Sequence, residues 1–192
     1  MHPLVRNIAI VLTAGCMLAS CTKQHNDPPL PDEPELITTV RVKAVDAMDP
    51  KDVRYFSYKV DNGFHGTGEA TFHVDTIRLK AGTFYSIELS VLDETKSPVK
   101  DVTPEIIEEK NSHLFYYQST PSLGAGSITV SGRDVDHNGQ DFARTCKWET
   151  NAKGRGVMEI QLIHGPRDKE GADRNDIAGS TDAETIFPVE LY

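Results

Sequence analysis

Two histidines and the acids near one of them carry the clearest chemistry in this sequence. His113 opens an alternating run, His113 to Gln118, shortly after Glu108 and Glu109. His164 ends a second run and continues the face of Met158, Ile160 and Leu162. Imidazole nitrogens with a carboxylate oxygen form a donor set that divalent transition ions favour. If the two strand ends lie side by side, His113, His164 and Glu109 make a metal site. The plain alternative is two polar residues at separate strand ends, each hydrogen-bonded or solvated. No pair of histidines has the i, i+4 spacing of an HExxH helix, and no CxxC occurs.

A second constellation is DVDHNGQD, Asp134 to Asp141. Asp134, Asp136, Asn138 and Gly139 match the start of an EF-hand calcium loop, where oxygens on alternate residues converge on one hard cation. The match fails where the bidentate glutamate belongs, because Thr145 stands there. Ile128 and Val130 alternate before the loop, Cys146 and Trp148 after it, and Asn138-Gly139 is a strong hairpin signal. The expectation is a hairpin tip, with weak calcium binding by Asp134, Asp136, Asn138 and Asp141 as the alternative.

Catalytic constellations are missing from the sequence. There is no GxSxG, no P-loop and no GxGxxG after a strand. Cys146 lies in the strand-like run ARTCKWET and reads as a small buried hydrophobe rather than a nucleophile. Phe115, Tyr116 and Tyr117 would line a groove or, more simply, split between core and sheet surface; Phe56 and Tyr58 share that ambiguity. The expectation is a protein that is not an enzyme.

The elements that must position these residues show period-two alternation bounded by Gly, Asp, Asn and Pro. In Phe84 to Val91, Tyr85, Ile87, Leu89 and Val91 share one face. Similar runs are Ile37–Val45, Val53–Val60, Thr71–Lys80, His113–Gln118, Ser127–Arg133, Phe142–Glu149, Met158–Leu162 and Thr185–Leu191. Together they predict an all-β fold, an antiparallel immunoglobulin-like β-sandwich over residues 36–192. One short connecting helix is expected at Thr103–Glu109, with Thr103 as its cap and Pro104 at its first position. Pro188 cannot donate to a ladder, so the last strand should be an edge or a strand end. Gly165 to Glu184 reads as a long polar loop.

The N-terminal segment gives an address. Ile8 to Leu18 is an apolar run too short for a transmembrane helix, which needs about 20 residues, and suited to a signal peptide. It ends in Leu18-Ala19-Ser20-Cys21, which resembles the lipobox of bacterial lipoproteins; Cys16 is a weaker rival. That resemblance implies cleavage after residue 20, lipid on Cys21 and attachment to a membrane through the acyl chains. Residues 21–35 then form a proline-rich tether. Thr22 rather than Asp after the cysteine implies the outer membrane, by analogy with lipoprotein sorting. Residues 21–192 keep all 29 acidic side chains and lose only Arg6 from the 20 basic ones, so they repel phosphate backbones and exclude nucleic acid as a partner.

The strings LITTVRVKA, DTIRLKAGTFYSIELSVLDET, EIIEEKNSHLFYY, IQLIHGPRDK and GSTDAETIFPVEL resemble a family of small Bacteroidota lipoproteins. Its members are labelled "type 1 periplasmic binding fold superfamily" and are often encoded beside TonB-dependent receptors. The label denotes a two-lobed α/β architecture, whereas the strand pattern here predicts a sandwich. The resemblance implies an accessory lipoprotein that works with a TonB-dependent outer-membrane transporter in uptake of a metal or metal complex. The alternative is a structural or adhesive surface module.

Overall fold

The computed structural model describes residues 36–124, 126–171 and 173–192. The signal peptide, Cys21 and the tether lie outside the described residues. The strands are β1 (Thr39–Asp46), β2 (Val53–Val60), β3 (Phe72–Val74), β4 (Ile77–Leu79), β5 (Phe84–Asp93), β6 (Lys100–Asp101), β7 (His113–Gly124), β8 (Ile128–Ser131), β9 (Thr145–Thr150), β10 (Gly154–His164) and β11 (Ser180–Leu191). Helix α1 (Thr103–Glu108) and a 3-10 turn (Lys110–Ser112) precede β7, and a short helix α2 (Arg174–Ile177) precedes β11.

These strands form two sheets. One is seven-stranded, in the order β3-β2-β1-β5-β9-β8 with β6 added to β5. The other is four-stranded, in the order β4-β11-β10-β7. Alternation decides what each sheet buries. Tyr85, Ile87, Leu89 and Val91 on β5 point inward, as do Val40, Val42 and Ala44 on β1. Met158, Ile160 and Leu162 on β10 and Ala183, Phe187 and Val189 on β11 point inward from the other sheet. All belong to one hydrophobic core, with Trp148 fully buried in it.

Four local expectations change. The run Thr71–Lys80 is two strands: it breaks at Asp75 and Thr76, so β3 joins β2 while β4 crosses to β11. The Ser57 amide donates to the Asp75 carboxylate at 2.8 Å, which holds the break. The β4–β11 pair is parallel, so the antiparallel expectation fails there. Thr103 does not cap α1; Val102 stands at the cap, and the Thr103 hydroxyl instead accepts the Val91 amide of β5 at 3.0 Å. Pro188 lies on the second strand of its sheet, but β4 pairs only with Val189–Leu191. At Pro188 that side of β11 has no strand beside it among the described residues, so a missing N–H costs no ladder bond.

The segment 165–179 is not an open loop. The Asp173 side chain accepts the amides of Asn175 and Asp176 and starts α2, and Ile177 is buried. Arg174 reaches back to Gln161 of β10 at 2.8 Å and to the Thr181 hydroxyl of β11 at 3.1 Å. The segment is therefore a strap across the end of β10 and β11, and β11 begins at Ser180 rather than Thr185.

Sidedness predicts its own test. Leu89→Ala, at a fully buried position of β5, should destabilise the domain by about 2–5 kcal/mol. Ser90→Ala, one residue on and facing outward, should change stability by no more than about 0.5 kcal/mol in the same urea titration.

Candidate metal centre

The register of β7 on β10 brings the two histidines together. These strands pair antiparallel from Gly154↔Gly124 to His164↔His113, so residues 113 and 164 are direct cross-strand partners. Side chains so placed share a face. The imidazole centroids are 4.7 Å apart, with the rings tilted by 54°.

The third donor comes from β11, through a bulge. Leu162 pairs with Ala183, but Ile163 pairs with Thr181, leaving Asp182 as an extra residue without a partner on β10. In a regular strand Asp182 would face away from Ala183. A bulge re-aims a side chain in this way, and the Asp182 carboxylate lies 3.5 Å from His113 Nε2 and 3.8 Å from His164 Nδ1. One donor atom from each of the three residues lies within 4.8 Å of the others. Among the described residues this is the group of His, Cys, Asp or Glu side chains placed to share an ion.

Glu109 has a different role from the one its sequence position implies. Its backbone carbonyl, not its carboxylate, meets His113: Nδ1 lies 3.1 Å from Glu109 O. A carbonyl can only accept, so Nδ1 carries a proton. In the neutral ring Nε2 then holds the lone pair, on the side of Asp182. This is how outer contacts fix the tautomer of a metal-binding histidine. α1 and the 3-10 turn place that carbonyl; the 3-10 turn is tied to the strap by the Gly165 amide, which donates to Ser112 O at 2.7 Å.

The geometry fits a small divalent ion. Bonds of about 2.0–2.2 Å in a tetrahedron set donors about 3.4 Å apart, close to the two carboxylate–imidazole distances. Two imidazoles and one carboxylate suit zinc, copper, nickel or ferrous iron better than calcium or magnesium. The His113 side chain is 3 % exposed and that of His164 52 % exposed, so one donor is fixed in the wall and the other faces water.

Of the residues in the calcium alternative, Asp134, Asp136, Asn138 and Asp141, the three aspartates already accept from donors of the protein. Asp134 accepts the Thr145 amide at 2.8 Å, and Asp141 pairs with Arg133 at 2.9 Å. Asp136 accepts the amides of Asn138 and Gln140 on one oxygen and the Lys169 ammonium, at 2.8 Å, on the other. Burial alone would raise the Asp136 pKa; Lys169 and the two amides outweigh it and hold the carboxyl below its ordinary value. The Lys169 ammonium also donates to Lys110 O at 2.7 Å. The turn itself is a small hairpin closed by a Val135–Asp141 bridge. Gly139 has φ of 80° while Asn138 does not enter the positive region, so it is not the two-residue turn that Asn-Gly favours.

The remaining candidates fall to the core. Phe115 and Tyr117 are buried, and the Tyr117 hydroxyl donates to Ala143 O at 2.7 Å, so residues 115–117 form no groove. Phe56 is also buried, whereas Tyr58 sits at the rim of the core. Cys146 is buried, and burial pushes its thiol pKa up to about 11, which suppresses thiolate chemistry. No protein family, curated protein or solved structure matches this chain.

The buried ion pair has a pH signature. A carboxyl whose folded pKa is depressed stabilises the fold above its unfolded value, about 3.9, and that share is lost as pH falls through the folded value. Asp136→Asn leaves a buried ammonium unpaired and should cost about 3–5 kcal/mol at pH 7. The gap to the native protein should narrow in urea titrations taken progressively below about pH 4. A gap independent of pH would show that the carboxylate charge is not what matters.

Proposed function

We propose that this chain is a lipid-anchored cell-envelope binding protein that holds a divalent transition-metal ion between His113, His164 and Asp182. The observation behind this reading is the convergence of two paired strand ends and one bulge residue on a single point, with the His113 tautomer fixed from behind. Three protein donors leave room for a further ligand, and the half-exposed His164 gives the ion a route to solvent or to a partner. The reading is of a carrier, not of an enzyme.

The scaffold is an immunoglobulin-like sandwich in this reading, with lipid on Cys21 holding it to the outer membrane. The ion, or a complex of it, passes to or from a TonB-dependent receptor. Support for the anchor is the lipobox-like Leu18-Ala19-Ser20-Cys21; support for the receptor is the family resemblance.

Calorimetric titration of the folded domain with zinc and copper should give heat fitting one site. The His113→Ala/His164→Ala double variant should lose it, and Asp182→Asn should weaken it. Heats unchanged in the double variant would end the metal reading and leave the adhesive module as the better one. Separately, Cys21→Ala should move the full chain from the membrane fraction to the soluble fraction and abolish labelling by radioactive palmitate.

A further inference from the structure

A cleft of about 380 Å³ lies where the end of β2 and the loop after it face β11. It runs along Thr181 to Ile186, where β11 has no strand on its outer side among the described residues. Tyr58 is its centre: Phe64 stacks on that ring at 6.0 Å and Phe72 meets it edge-on at 6.2 Å. The rim is apolar and wet, with Phe72 57 % and Ile186 50 % exposed. Adjacent exposed apolar side chains of this kind mark binding surfaces more often than bare surface.

The permanently charged groups of the cleft have one sign, and the imidazole of His65 is the basic side chain at its wall. Asp182 and Glu184 line it, and among the described residues no lysine or arginine does. Glu184 has no ion-pair partner among the described residues, and it lies near Tyr58: burial first, and then the charge of Glu184, raise the pKa of that phenol. Aromatic faces beside carboxylates attract a cation twice, through the ring quadrupoles and through direct charge. An anion would meet repulsion, and a neutral apolar compound would leave Glu184 unmatched.

We infer that this cleft binds a small organic cation, an amine or guanidinium compound with an apolar body. The charged head sits beside Glu184, and the body lies over Tyr58 and Phe72. The cleft meets the candidate metal centre at Asp182, which also faces His113 and His164, whereas Glu184, Tyr58 and Phe72 belong to the cleft alone.

The test uses the His164→Ala protein, in which the metal centre is disabled and the cleft walls are intact. Amide spectra are recorded with millimolar phenethylamine, and with phenylacetate as the anionic counterpart. Phenethylamine should shift the amides of residues 62–66 and 181–186 in a saturable way, and phenylacetate should leave them in place. Glu184→Gln, at an exposed position, should keep the fold by circular dichroism and weaken phenethylamine at least tenfold, about 1.4 kcal/mol. No shift with phenethylamine, equal shifts with phenylacetate, or an unchanged affinity in Glu184→Gln would each overturn the inference.

Discussion

The β7–β10 ladder is the constraint on which the rest depends. It sets His113 against His164, far apart in the chain, because the register runs unbroken from Gly156↔Pro121 to the end of the pair. A slip of one residue would send every side chain on one strand to the other face. The core locks the phase: Met158, Ile160 and Leu162 must stay buried, and His164 is placed by them. At the far end of the ladder, Gly156 keeps the strands close. A Cβ there would lie 2.6 Å from Thr120 O, so a larger residue would push β7 away.

Fastenings around the candidate centre converge on the same few residues. Lys169 reaches from the strap to the Asp134–Asp141 turn and also to Lys110 O. Lys110 comes directly after Glu109, whose carbonyl holds the His113 ring. The aspartate-rich turn therefore supports the histidine site from behind, through one ammonium, although it contributes no donor to it. Two motifs that look unrelated in sequence are parts of one arrangement.

Much of the fold was legible because alternation is local. A strand of Tyr85, Ile87, Leu89 and Val91 advertises its buried face without knowing its partners. The pairing of His113 with His164 could be framed from sequence, since both stand at strand ends in phase with apolar faces. Asp182 was hidden for a physical reason: a bulge breaks the period that reveals strands. Its charged neighbourhood made residues 165–184 read as a loop, although Ala183 is already in phase with Thr185 and Phe187. The break at Asp75, the parallel β4 and the Lys169–Asp136 pair were equally out of reach, being set by contacts between residues far apart in the chain.

In the Asp134–Asp141 turn the carboxylate of Asp136, a ligand position of the EF-hand pattern, meets the Lys169 ammonium. This cation is covalently attached, so it cannot be diluted away or stripped by a chelator. The turn carries its own counterion wherever the chain goes. Swings in dissolved cations leave the Asp136 carboxylate with its partner in place.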